Sequence, residues 1–304
     1  GPTEIPERVR VKLALPIIHH RTPEYEKILA KVRDQLKWFF GTKQEVITIC
    51  SSGTGGMEAS VTNFFSRGDK VLCIDGGKFG ERWTNVSKTF ELNPKVLKVE
   101  WGYSALVKDV QKELDADASI KGVLLQASET STGVSHPYLE IAELVSKRDN
   151  TICIVDGITA VGIEKIDFDT SKIDVLVAGS QKALMLPPGL ALLAISEKAW
   201  RFNKNATLPR YYFDLAKELK NLLKNTSAYT PAISFIIGLN ESLTMMEEEG
   251  REQVFDRHRR MALATRAGAE SLGLSLYPKG IPALCLTAVL PPDGMSADTI
   301  TKGI

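Results

Sequence analysis

Cysteine is scarce in this chain, and its four copies (Cys50, Cys73, Cys153 and Cys285) stand far apart with no Cys-x-x-Cys pair. Three of them sit inside apolar, strand-like runs, where a thiol behaves as a small buried hydrophobe. Net charge is also nearly missing. The 38 Lys and Arg against 37 Asp and Glu leave +1, so bulk charge gives no reason to expect nucleic acid or a membrane as partner. Long hydrophobic runs are absent, since none approaches the roughly 20 residues that cross a bilayer. The segment Gly1-Pro2-Thr3-Glu4 lacks the basic and apolar regions of a signal peptide, and the cytoplasm is the expected compartment. There is no internal repeat and no low-complexity stretch. What remains is ordinary globular composition, 43% hydrophobic and 25% charged over 304 residues, enough for one large domain and a smaller one.

Short apolar runs alternate with longer amphipathic stretches along most of the chain. Strands are expected at 46–50, 71–74, 96–99, 123–125, 152–155, 175–178 and 190–195, with helices at 57–65, 80–90, 106–114 and 139–148. Apolar strands alternating with helices imply an α/β fold with a large, mostly parallel sheet covered on both faces. Only a loop separates 175–178 from 190–195, which allows that pair to be antiparallel. Two long helices then follow, at 233–249 and 253–272, broken at Gly250, and a last strand is expected at 283–289. The chain thus divides into an arm at 1–15, a large domain at 16–239 and the start of a smaller α+β domain at 240–304 that is expected to be incomplete.

Ligands in open α/β sheets bind beyond the carboxyl ends of the strands, so the strand-to-helix junctions carry the chemistry. Ser51 to Glu58 forms a glycine-rich turn from strand to helix, whose amides could hold an anion. It is neither a dinucleotide fingerprint, because Glu58 stands where a third small residue is needed, nor a P-loop, because Gly-Lys-Ser/Thr is absent. By itself it is equally a plain tight turn. A second apolar strand delivers Asp156 at its end, and a third delivers Lys182. Alone, such an Asp is a turn former and such a Lys a solvated charge. Together, on one edge of one sheet, an anion site, a carboxylate and an amine match the needs of pyridoxal 5'-phosphate: a phosphate cradle, a partner that keeps the pyridine nitrogen protonated, and a lysine for the Schiff base.

The segments Ser52-Gly-Thr-Gly-Gly-Met-Glu-Ala59, Gly77-Lys-Phe-Gly-Glu-Arg-Trp83, Glu129-Thr-Ser-Thr-Gly-Val134, Val155-Asp-Gly157 and Gly179-Ser-Gln-Lys-Ala-Leu-Met-Leu-Pro-Pro-Gly189 resemble the class V aminotransferases, most closely the alanine–glyoxylate and serine–glyoxylate (serine–pyruvate) branch. The resemblance implies the type I pyridoxal-phosphate enzyme fold. It implies that Thr54, Gly55 and Gly56 bind the cofactor phosphate through backbone amides, with Gln181 contributing. Phe79 would stack on the pyridine face, where the residues alone suggest a core Phe at a helix start. Thr130 would bond near the ring hydroxyl or the phosphate, Asp156 would pair with the pyridine nitrogen, and Lys182 would form the Schiff base. Thr230, with Tyr229, stands where the family reaches into a neighbouring subunit, which implies a homodimer with shared active sites; Tyr-Thr-Pro is also simply a good turn.

His19-His20-Arg21 resembles the family's segment along the site entrance, and no His or Cys cluster accompanies it to suggest a metal. Arg82 reads as structural. The family's arginine for the substrate carboxylate lies in a motif not found before Ile304. The implied reaction is a ping-pong transamination from a small amino acid, alanine or serine, to a 2-oxo acid, glyoxylate or pyruvate. Two alternatives stay open: a desulfurase or lyase on the same scaffold, and a catalytically silent subunit of a larger complex. A desulfurase needs a mobile, exposed cysteine, and none of the four fits that description.

Overall fold

Apolar strands bounded by turn residues set the architecture. A computed structural model describes residues 1–303. The chain opens with α1 (Glu7–Leu13) and α2 (Pro23–Phe40), after which strands and helices alternate. The run is β1 (Val46–Ser51), α3 (Gly53–Phe64), β2 (Lys70–Asp75), α4 (Lys78–Thr89), β3 (Asn93–Lys98), α5 (Val107–Ala116) and β4 (Ile120–Gln126). A small hairpin, β5 (Ser128–Glu129) and β6 (Val134–Ser135), leads to α6 (Tyr138–Ser146), β7 (Ile152–Asp156), α7 (Phe168–Ser171), β8 (Val175–Gly179) and β9 (Gly189–Ile195). The last part is helical: α8 (Glu197–Asn205), α9 (Leu215–Leu222), α10 (Ile233–Glu249) and α11 (Arg251–Ser271), then β10 (Ile281–Pro282) and α12 (Ala297–Gly303).

Seven strands form the large sheet in the order β1-β9-β8-β7-β4-β2-β3. Every pair is parallel except those of β9, which runs antiparallel to β1 and to β8. The expected mixed α/β sheet and the β8–β9 hairpin are both present. Every residue of β7 and of β8 is buried, as strands covered on both faces require. Proline at position 94 falls in the edge strand β3, where a missing amide costs no ladder bond to a second neighbour. Helix α3 lies tight on the sheet because residue 56 is glycine: a Cβ there would come 2.7 Å from Val177 and 3.1 Å from Ala191.

Helix α2 was not among the expected elements. Its ends are nonetheless written in the chain: Thr22 caps its start by accepting from Tyr25 N, Pro23 takes the first position, and Gly41 closes it in the left-handed region (φ 61°). Helices α1, α8 and α9 were likewise unexpected.

The strand expected at 283–289 does not form. Within that segment only Val289 makes a bridge, with Leu276, while Ala283 N donates to Gly133 O and Ala288 O accepts from Tyr277 N. An apolar run becomes a strand only beside a partner, and here Ile281–Pro282 is what pairs with the β5–β6 hairpin instead. The boundary expected at residue 240 falls within α10. On both sides of it the helix packs on the large unit, with Gly238 against Leu13 and Ser242 donating to Leu184 O. Arg8 of α1 pairs with Glu241 and Glu248 of the same helix.

Candidate active site

The carboxyl ends of β1, β7 and β8 lie on one edge of the sheet, because β9 starts where β1 and β8 stop: Ser51 faces Gly189 and Gly179 faces Ala191. A cleft of about 490 Å³ opens there, lined among others by Thr54, Phe79, Thr130, Asp156, Gln181 and Lys182. Six of the ten residues singled out from the sequence thus meet in one place.

Lys182 follows β8 in a loop held at its base by Ser180, whose hydroxyl donates to Pro187 O (2.7 Å) and accepts from Leu190 N (3.1 Å). The amino-terminal arm crosses this loop: Thr3 N donates to Gln181 O at 3.0 Å and its hydroxyl to Lys182 O at 2.9 Å. Among the described residues no carboxylate lies within ion-pair range of Lys182. Asp156 ends β7 and is 6% exposed. It accepts one hydrogen bond, from Ile158 N at 2.9 Å. Burial pushes its carboxyl up to about 6, opposed by the Ile158 bond and by the positive charge of Arg82. The cleft therefore holds a buried carboxylate in want of a cation. Gln181 Oε1 is likewise buried with no hydrogen-bond partner among the described residues. Asp156 fits pyridoxal phosphate, whose protonated ring nitrogen supplies the cation it lacks.

Helix α3 starts at Gly53, one residue after Ser52. Gly55 N already donates to Ser52 O (2.9 Å), and Gly56 N points to the same oxygen (3.4 Å). The free first-turn amides are those of Gly53 and Thr54, and these residues line the cleft, whereas Gly55 and Gly56 do not.

Phe79 belongs to the start of α4, and a carboxylate missed by the sequence reading fixes it there. Glu129 is fully buried and accepts from Phe79 N (3.1 Å), Gly80 N (3.0 Å), Gln126 Nε2 (2.8 Å) and the Ser131 hydroxyl (2.5 Å). It caps α4 from outside the helix. Behind it His136 accepts from Ala105 N (3.0 Å), and burial pushes its imidazole down to about 4.

Arg82, expected to be structural, instead reaches the cleft. It donates to Thr54 Oγ1 at 3.0 Å and lies 4.8 Å from the centre of the Phe79 ring. The signal was available: positions 79 and 82 are three apart on one helix and share a face. Ser128, Ile158 and Thr159 also line the cleft. None of the four cysteines does. Tyr229 and Thr230 lie elsewhere, in a groove with Tyr25, Cys50, Tyr212 and Glu218. The Tyr229 hydroxyl accepts from Lys217 Nζ (3.0 Å) and donates to Tyr211 O (2.8 Å). His19 and His20 stack on each other, ring centres 4.8 Å apart. Among the described residues no three metal-capable side chains come together, and no helix is long and apolar enough to cross a membrane.

Comparison with known proteins agrees with this geometry. The "Aminotransferase class-V" family model matches residues 13–277. A relative from Anabaena cylindrica named "Soluble hydrogenase 42 kDa subunit" is 41% identical over 99% of this chain and 79% of its own length. The "Serine--glyoxylate aminotransferase" of Hyphomicrobium methylovorum is 34% identical over 99% of this chain and 76% of its own. Among solved structures, an aspartate aminotransferase of subgroup IV from Thermus thermophilus superposes with a TM-score of 0.91 at 29% identity, covering 99% of this chain and 84% of that one.

Proposed function

Because the chain belongs to the class-V aminotransferase family, it is a pyridoxal-phosphate-dependent transferase of the type I fold, and we propose that it moves the amino group of serine or alanine to glyoxylate. The observation that carries the reading is the pairing, in one cleft, of an unpartnered lysine with a buried carboxylate that lacks a cation. The names of relatives support glyoxylate as acceptor, since an "L-aspartate--glyoxylate aminotransferase" of Paracoccus denitrificans is also 35% identical over 99% of the chain. When bound, pyridoxal phosphate supplies an electron-withdrawing ring that takes up the electron pair left as the substrate α-proton departs.

The protein's own groups do the rest. Lys182 would hold the cofactor through its amine, and the same amine, once freed, would take the proton from the substrate α-carbon and hand it on. Asp156 holds a proton at the pyridine nitrogen, which keeps the ring an acceptor of charge. Phe79, its backbone held by Glu129, would stand beside the ring. The amides of Gly53 and Thr54, at the positive end of α3, bind the phosphate together with Gln181, and Thr130 bonds beside the ring. The arm carrying Thr3 lies over the Lys182 loop and limits the entry of water. The assembly is a cytoplasmic homodimer in which Tyr229 and Thr230 of each copy serve the partner's phosphate site.

The silent-subunit alternative draws on the hydrogenase names of two relatives. An intact Lys182 and an Asp156 primed for a cation argue against it. The test is visible absorbance. Purified protein with pyridoxal phosphate should be yellow, bleach with L-serine or L-alanine and recover with glyoxylate. A protein that stays colourless sinks the reading, while one that is yellow but indifferent to every amino acid supports the silent subunit.

A further inference from the structure

Arg82 has an unusual set of neighbours. Its guanidinium makes one hydrogen bond, to Thr54 Oγ1 at 3.0 Å, and no carboxylate of the described residues lies within ion-pair range of it. A guanidinium carries five N–H donors, so most of its capacity is unused and lies along the wall of the cleft. Thr54 is the second residue of α3, which puts the guanidinium beside the free amides of Gly53 and Thr54. A full positive charge next to the positive end of a helix is a repulsive arrangement unless an anion sits between them. The side chain is also aimed. The Phe79 ring lies 4.8 Å beneath it, and α4, which carries both residues, is pinned by Glu129.

We propose that Arg82 binds the phosphate of pyridoxal phosphate, completing with Gly53, Thr54 and Gln181 a subsite for a phosphate dianion. This rests on the reading of the cleft as a pyridoxal-phosphate site. The inference adds a residue to that site, and it explains why a lone arginine is held at a helix start. A phosphate offers three oxygens, enough to take the helix amides and the guanidinium together, and a planar fork matches it better than an ammonium. Asp156 is the competing anion in the cleft; it feels the charge of Arg82 but forms no ion pair with it.

The experiment compares pyridoxal phosphate with pyridoxal, which has the ring and aldehyde but no phosphate. Dissociation constants for both are measured on the apoprotein by visible absorbance, for the wild type, Arg82→Gln and Arg82→Lys. Losing a hydrogen bond to a charged group costs about tenfold to a hundredfold in affinity. Arg82→Gln should weaken pyridoxal phosphate by that factor and leave pyridoxal within about twofold of wild type. Arg82→Lys should recover part of the loss, and it keeps the test open if the Gln variant does not fold. Equal weakening of both compounds overturns the proposal, since it shows Arg82 acting through the Phe79 ring. Unchanged binding of both with a raised KM for the amino acid overturns it too, in favour of a substrate carboxylate. Wild-type protein that binds neither compound instead refutes the cofactor reading beneath it.

Discussion

Replacing Asp156 with Asn should stabilise the cofactor-free protein at neutral pH and weaken its hold on the cofactor. Burial raises the carboxyl from 3.8 to about 6, because a single bond from Ile158 N and the distant charge of Arg82 do not repay the lost hydration. Each pH unit is worth about 1.4 kcal/mol, so the ionised side chain costs the folded apoprotein ~3 kcal/mol. The sign follows from proton counting. The native state holds this proton more tightly than the unfolded chain does, so unfolding between 3.8 and about 6 releases it, and stability falls as pH rises through that window. Below 3.8 the penalty is absent; above about 6 it is complete.

Asparagine has nearly the same shape and no charge, so it escapes the penalty. At about pH 8 the apo variant should be more stable by up to ~3 kcal/mol, a rise in Tm on the order of 5 °C, with the gap shrinking toward about pH 4. His136 titrates in both proteins alike and cancels in the difference. Adding pyridoxal phosphate should reverse the order, because only the wild type offers a charge to the protonated ring. Urea unfolding of both apoproteins across this pH range is the assay. A variant no more stable than wild type at about pH 8, or a gap that does not move with pH, would refute the argument that Asp156 is held ionised at a cost.

Two further outcomes are expected. Glu129→Gln removes a buried charge that accepts from five donors, two of them first-turn amides of α4, and should lower stability by about 2 kcal/mol and cofactor affinity with it, read by urea unfolding and titration. If the active site is shared between two copies, Lys182→Ala and Thr230→Glu should each be inactive alone. Co-expressed, they should recover about a quarter of wild-type turnover through hybrid dimers that keep one intact site; no recovery would place Thr230 outside the partner's site.

Much of the fold could be read from the chain because its central strands are buried on both faces, and such strands are written as unbroken apolar runs: Ile152 to Val155 and Val175 to Ala178. Strand-end polar residues then pointed to Asp156 and Lys182, and the family resemblance added Gln181. Less legible was whatever the alternation of strand and helix does not announce. Helix α2 precedes the first strand, so only its caps give it away. The run from Ala283 to Val289 has strand composition but bridges to a neighbouring segment only at its end, between Val289 and Leu276, and pairing is a property of two segments, not one. Arg82 could have been placed by its spacing from Phe79, but Glu129 could not, since its partner Phe79 is 50 residues away, a distance over which no local pattern speaks.

The antiparallel strand β9 has a consequence for how the protein comes into being. β1 lies at the edge of the sheet and, among the described residues, pairs only with β9, with Val46 facing Ala194. The turn that starts α3 is therefore anchored to a segment made more than a hundred residues later, a long loop to close and a slow contact to form. On a ribosome adding roughly 5–20 residues per second, β1 waits on the order of ten seconds for its neighbour. Until β9 emerges, the emerging chain has no assembled phosphate cradle. Cofactor capture thus waits on β9 rather than following at once on β1 and α3, and a nascent chain stalled before Gly189 should bind none.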